Sequence, residues 1–161
     1  MDVFDDEILD LWQSLSTYNV RYIMVGGFAT FLNGFERTTN DLDIWLEDTV
    51  VNRQNLRKSL NALDYPDYPA IETMQFVAGW SSLRMGQNIE LDIMTEMKGL
   101  ENLTFDECLN QASIADINGI IIPFLHINQL ISNKKAVNRL KDQIDVIELE
   151  KIKHLRNQSP S

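Results

Sequence analysis

Apolar residues recur at steps of three and four across residues 5–18, where Ile8, Leu11, Trp12 and Leu15 mark one face of an amphipathic helix. The period then changes. Tyr22-Ile23-Met24-Val25 is a short unbroken apolar run of strand type, stopped by Gly26-Gly27. Residues 28–32 read as a short helix that Asn33-Gly34 ends, a pair suited to a left-handed C-cap. Leu42-Asp43-Ile44-Trp45-Leu46 is a second strand. Asp48 or Thr49 caps the next helix, whose apolar stripe includes Val51, Leu56, Leu60 and Leu63; two prolines, Pro66 and Pro69, break the chain after it. Strands at 82–85 and 88–94 turn at Gly86-Gln87. Thr104 and Glu107 form a capping box for a helix to about residue 111. A hairpin of 114–117 and 120–125 turns at Asn118-Gly119, helices over 127–135 and 137–154 follow, and residues 158–161 read as a frayed tail. No repeat or low-complexity segment interrupts this order. The class is α+β, with a small mixed or antiparallel β-sheet flanked by helices and closed by C-terminal helices.

Composition narrows the function. The 161 residues are 44% apolar and 24% charged, the mix of a soluble globular protein, and a formal charge of −10 argues against a protein that coats nucleic acid. The charge is uneven: residues 126–161 carry seven Lys or Arg against four Asp or Glu, a net +3, leaving −13 on residues 1–125. One cysteine, Cys108, excludes an internal disulfide framework and a multi-cysteine zinc site. The first residues are acidic where a secretory signal is basic, and the longest apolar stretch, 117–125, is too short to cross a bilayer. These features predict a cytoplasmic protein with no membrane partner.

The chemistry gathers around two acidic strands and a glycine pair. Residues two apart on a strand share a face, so Asp41 and Asp43 project side by side while Leu42 and Ile44 point the other way. Two carboxylates this close repel unless a cation relieves them, and Mg²⁺ takes carboxylate oxygens while keeping positions for water and phosphate. Ile89-Glu90-Leu91-Asp92-Ile93 repeats the alternation. If that strand pairs beside the first, Asp92 faces Asp41 and Asp43, and three carboxylates suit two Mg²⁺ ions (or Mn²⁺) at roughly 3.5–4 Å. Asp92 is then the candidate general base for an attacking hydroxyl. Gly26 and Gly27, at a strand-to-helix junction, leave bare backbone N–H groups that a triphosphate can approach. Each element alone has a plainer reading: a Gly-Gly as a tight turn, an Asp-x-Asp as a solvated strand face.

Together, Gly26-Gly27 and Arg37-x-Thr39-x-Asp41-Leu42-Asp43 resemble the signature of the polymerase-β-like nucleotidyltransferase superfamily. The likeness is to the Gly-Gly branch, which includes AbiEii-type toxins of toxin–antitoxin systems and lincosamide and aminoglycoside nucleotidyltransferases. It continues in Lys134, Ala136, Arg139, Lys141, Asp142 and Asp145, and departs at Leu140, where relatives often have proline. The resemblance implies a catalytic and metal site of Asp41, Asp43 and Asp92, and nucleotide phosphate contacts from Gly26, Gly27 and Thr39, with Arg37 and Lys134 as further phosphate ligands. A salt bridge is the alternative for Arg37. Helix-surface ion pairs are the alternative for Lys134, Arg139/Asp142 and Lys141/Asp145. The reading makes residues 1–161 a single nucleotidyltransferase domain: 1–95 form the catalytic sheet and helices, 96–157 the small hairpin and C-terminal helices.

Glu90 shares a face with Asp92 but stands outside the motif. His126 and His154 lack metal-ligand neighbours, Cys108 reads as packing, and Trp12 and Trp80 need no function. Trp45 shares a face with Asp43 and either lines the site or closes the sheet. The expected activity is Mg²⁺-dependent transfer of an NMP from an NTP, such as ATP, to a hydroxyl on RNA, protein or a small molecule, in a toxin–antitoxin or defence setting with a cognate antitoxin as partner. An antibiotic nucleotidyltransferase and a non-catalytic nucleotide- or partner-binding module are the alternatives.

Overall fold

Asp5 opens the first helix, α1 (Asp6–Thr17), by accepting the Glu7 N–H, and Ile8, Leu11, Trp12 and Leu15 bury the face their spacing predicts. The structure is a computed structural model and describes residues 5–36, 41–86 and 89–158. Arg37, Thr39, Gln87 of the predicted turn, Asn88 and residues 159–161 of the tail lie outside the described residues. Strands β1 (Tyr22–Val25), β2 (Leu42–Leu46), β3 (Ser82–Met85), β4 (Ile89–Met94), β5 (Ser113–Ile117) and β6 (Ile120–Phe124) form one mixed sheet in the order β3-β4-β2-β1-β6-β5. β1 runs antiparallel to β2 and parallel to β6, and β2 runs parallel to β4. The β5–β6 hairpin is thus one margin of the same sheet. Its turn is set by Asn118 at φ 54° and Gly119 at φ 83°, two consecutive left-handed residues that asparagine and glycine tolerate.

Register divides the sheet into two faces. Tyr22, Leu46, Met24 and Ile44 share the face on which Trp12 of α1 stacks against Tyr22, ring centroids 5.7 Å apart. Helix α3 (Val50–Asn61) packs beside α1, and Ser14 Oγ donates to Ser59 O at 2.7 Å in the buried seam. Thr49 caps α3, as expected, but Val51 is not on its buried stripe. Val51 is exposed, and Asn52 takes the inward place. Its amide accepts from Arg21 N–H at 2.7 Å and donates to Arg21 O and Glu47 O, each at 2.8 Å, satisfying backbone groups that valine would leave bare.

Helix α2 is longer than its apolar pattern predicts, running Gly26–Leu32, and Asn33 ties its end to the residue after β6 by donating to Ala29 O and Leu125 O. Helix α4 (Phe105–Gln111) shows the full Thr104–Glu107 capping box. Helices α5 (Ile127–Val137) and α6 (Leu140–Gln158) pack on each other, and their break falls later than the sequence reading places it. Asn138 adopts the left-handed conformation, φ 58°, and Arg139 N–H donates to Asp142 Oδ2 at 3.0 Å, capping α6. Leu140, 76% exposed, is therefore the first helical residue, the position at which proline is preorganised. Leu140→Pro is expected to keep the fold and stabilise it by about 0.5 kcal/mol, read as a higher urea midpoint at unchanged slope. A lower midpoint would mean that the Leu140 N–H is needed.

Candidate active site

The face opposite α1 carries the acidic residues. Cross-strand register sets Val25, Asp43, Asp92 and Ser82 in one row across β1, β2, β4 and β3, so the two carboxylates stand on neighbouring strands about 4.8 Å apart at the backbone. The pairing of β2 with β4 is the arrangement the alternation of the two acidic strands required. Asp41, exposed, lies just before β2, close enough for its charge to act on Asp43. Gly26 follows Val25 and closes against the row.

Gly26 has φ +67°, and a Cβ there would overlap the Asp43 carboxylate and come within 2.9 Å of Asp43 Cβ. Glycine is required twice over, by conformation and by space. Gly26→Ala is expected to cost about 2 kcal/mol or more by displacing Asp43, as a lower melting temperature would show. A variant with parental stability would mean that the Gly26–Asp43 contact is relaxed in solution.

Asp43 makes no hydrogen bond or ion pair through its side chain among the described residues, and its carboxyl is pushed up to about 7. Burial is the first cause and the charges of Asp92 and Asp41 follow, while Lys141 and Lys134 pull the other way. Asp92, buried at 9% exposure, is also raised by burial. Hydrogen bonds partly offset this: Gly79 N–H donates to Asp92 Oδ2 at 3.1 Å, and Ser82 Oγ lies 3.5 Å from Oδ1. Among the described residues no three His, Cys, Asp or Glu side chains already converge on one metal position. The donor set is nonetheless that of a hard divalent cation: carboxylate oxygens whose mutual repulsion and burial favour a counter-charge.

The C-terminal residues arrive from the α5–α6 junction. Lys134 is buried, with Nζ 2.8 Å from Asp145 and 3.6 Å from Asp142, both of them buried. Asp145 thus pairs inward with Lys134, rather than on the surface with Lys141 as helical spacing suggests. Arg139 does pair with Asp142 at 2.7 Å, and Asp43 is among the acids that raise its basicity further. Burial works to raise Asp142, but the Arg139 hydrogen bonds win and hold it below the ordinary carboxylate value.

Trp45 closes the sheet. Its Nε1 donates to Thr95 O at 3.1 Å and its ring meets Phe105 edge-on at 5.4 Å. His126 caps α5, with Nδ1 accepting the Asn128 N–H, and Cys108 is buried in packing. The Gly79-Trp80 loop, which no sequence motif marks, holds Asp92 and exposes its indole. A glycine beside a tryptophan shortly before an acidic strand was the available signal.

A mixed sheet carrying in-register acids on its central strands, with a glycine closed against one of them, is the nucleotidyltransferase fold. It is shared with a lincosamide antibiotic adenylyltransferase, LnuA, solved with lincomycin bound: TM-score 0.60, 18% identity, 94% of this chain and 98% of that one. The antibiotic-resistance factor ANT(2")-Ia, solved in complex with adenylyl-2"-tobramycin, matches at TM-score 0.57 and 17% identity over 94% of each chain. An antigenic nucleotidyltransferase-like protein from Paracoccidioides brasiliensis matches at 0.55 and 20% over 91% of this chain and 74% of that one. The chain belongs to the family described as nucleotidyl transferase of unknown function (DUF2204), whose model covers residues 5–159. No curated protein matches it. No described helix is long and apolar enough to cross a membrane.

Proposed function

We propose that the protein transfers an NMP from an NTP to a hydroxyl of a cationic small-molecule acceptor, with Asp41, Asp43 and Asp92 as the carboxylates that hold Mg²⁺. The observation that carries this reading is the row in which Asp43 and Asp92 stand in register, with Gly26 closed against Asp43. When bound, Mg²⁺ offsets the carboxylate charge and that of the triphosphate. Asp92 accepts the proton of the acceptor hydroxyl as its oxygen bonds to the α-phosphorus. The bond from that phosphorus to the bridging oxygen breaks, and its electron pair leaves with pyrophosphate. Gly26 and Gly27 let the triphosphate approach the backbone, with Thr39 and Arg37 as further phosphate contacts. Lys134 acts here through its charge, alongside Lys141 and close enough to ease the acidity shift of Asp43.

Charge supports a cationic acceptor, since the acidic row belongs to the part of the chain that carries −13. The fold is also that of enzymes solved with lincomycin and with adenylylated tobramycin. A toxin acting on RNA or protein, with an antitoxin partner, is the second reading, favoured by the basic corner of Arg139 and Lys141 near Asp43. Incubation with each α-³²P-labelled NTP, Mg²⁺ and cell extract separates the two, with Asp41→Asn/Asp43→Asn as control. Label in a small-molecule fraction supports the first reading and label in RNA or protein the second. Label in no fraction, together with no MgNTP-induced rise in melting temperature, would sink both.

A further inference from the structure

We propose that Trp80 receives the acceptor, its indole giving a ring face to a cationic, ring-bearing molecule whose hydroxyl lies against Asp92. The inference rests on the reading that Asp92 takes the acceptor proton. Trp80 is 86% exposed, more than any other large apolar side chain among the described residues. An indole left in water forgoes a large burial energy, so its position on a braced loop calls for an explanation.

That loop is held at several points. Trp80 N–H and Ser81 N–H both donate to Val77 O, at 2.9 and 3.1 Å, and Val77 N–H donates to Ser81 Oγ at 2.7 Å. Ile93 N–H donates to Ser81 O at 3.0 Å, tying the loop to β4 beside Asp92. Arg53 braces its start, donating to Ile71 O and Met74 O and lying 4.6 Å over the Phe76 ring. Gly79 joins the loop to the acidic row: its N–H is bonded to Asp92, and Trp80 is the next residue, one peptide unit or about 3.8 Å along. A Cβ built on Gly79 would meet nothing within 4 Å, so the residue whose N–H holds Asp92 has open space beside its Cα.

The ligand class follows from what surrounds the ring. Tryptophan is the best cation–π partner of the aromatic side chains, and the carboxylates of Asp92, Asp43 and Asp41 attract the same ammonium groups. A phosphodiester chain would meet those carboxylates as like charges.

Trp12 and Trp45 are buried, so solvent-exposed emission reports Trp80. Titrating tobramycin into the protein with Mg²⁺ and a non-hydrolysable ATP analogue is expected to quench that emission saturably. Calorimetry should show the tobramycin Kd weakened about tenfold by Trp80→Ala and about twofold or less by Trp80→Phe, which keeps a ring. Both variants should retain the parental melting temperature and its rise with the magnesium nucleotide. No saturable quenching, an unchanged Kd in Trp80→Ala, or quenching by a short single-stranded RNA instead would overturn the proposal. If the magnesium nucleotide shifts the parental melting temperature and Trp80 stays silent, only this inference falls. If the nucleotide fails to bind the parent protein, the transferase reading falls with it.

Discussion

The Asp41→Asn/Asp43→Asn variant is expected to transfer no detectable label, while its metal-free fold at pH 8 is as stable as the parent or more so. The cause is the carboxyl of Asp43, raised from an ordinary 3.8 to about 7 by burial and by Asp92 and Asp41. Between those values the folded chain holds a proton that the unfolded chain has lost. The Asp43 contribution to the stability of the metal-free parent therefore falls as pH rises from about 4 to about 7 and levels off above that. The amplitude is on the order of 2 kcal/mol once partial solvation and the shared charge are allowed for. The double variant should flatten this slope, and Mg²⁺ should stabilise the parent at pH 8 but not the variant. Urea titrations at pH 5 and pH 8, with and without Mg²⁺, measure all of this. A variant that loses several kcal/mol without metal would identify the aspartates as scaffold.

Lys134→Met is expected to be the most destabilising single change described here. Its ammonium is shared by two buried carboxylates, Asp145 at 2.8 Å and Asp142 at 3.6 Å. Removing one member of a buried ionic group costs about 3–5 kcal/mol, because the remaining charges keep their desolvation penalty. For a chain of this size that corresponds to a drop of roughly 10 °C in melting temperature. Arg139 still holds Asp142, and the loss should show at the α5–α6 seam, where Lys134 meets both carboxylates. Adding Asp145→Leu should restore part of the stability, giving a coupling energy in a double-mutant cycle. A single-variant loss under about 1 kcal/mol would mean that this seam is wet.

Much of the molecule was legible where local rules decide. The bounds of β1 and β2 coincide with their apolar runs, Thr104–Glu107 forms the expected cap, and Asn118-Gly119 makes the expected turn. Alternation placed Asp43 and Asp92 on one face, although only the register shows that their strands are neighbours. What escaped depends on distant partners. Val51 and Asn52 differ in burial because of backbone groups at Arg21 and Glu47, which no helical period encodes. The α5–α6 break has no glycine or proline to announce it, and rests on Asn138 and on Asp142 reaching back. Lys134 and Asp145 are too far apart in sequence for a helix-spacing rule to join them, so burial of that pair was invisible. Nothing in the sequence separates Trp80 from Trp12 and Trp45; its exposure does.

The place of β1 also bears on how the chain reaches its native state. Along one edge β1 pairs with β2, available early in synthesis; along the other it pairs with β6, through Met24 and Phe124, one hundred residues apart. A central, wholly apolar strand thus stays half-paired until residue 124 of the 161 has been made. Such long-range closure slows folding and leaves an adhesive edge exposed in the interim. A fragment ending after β4 would keep Gly26, Asp43 and Asp92 yet carry that open edge, and self-association rather than a working half-enzyme is the outcome this topology dictates.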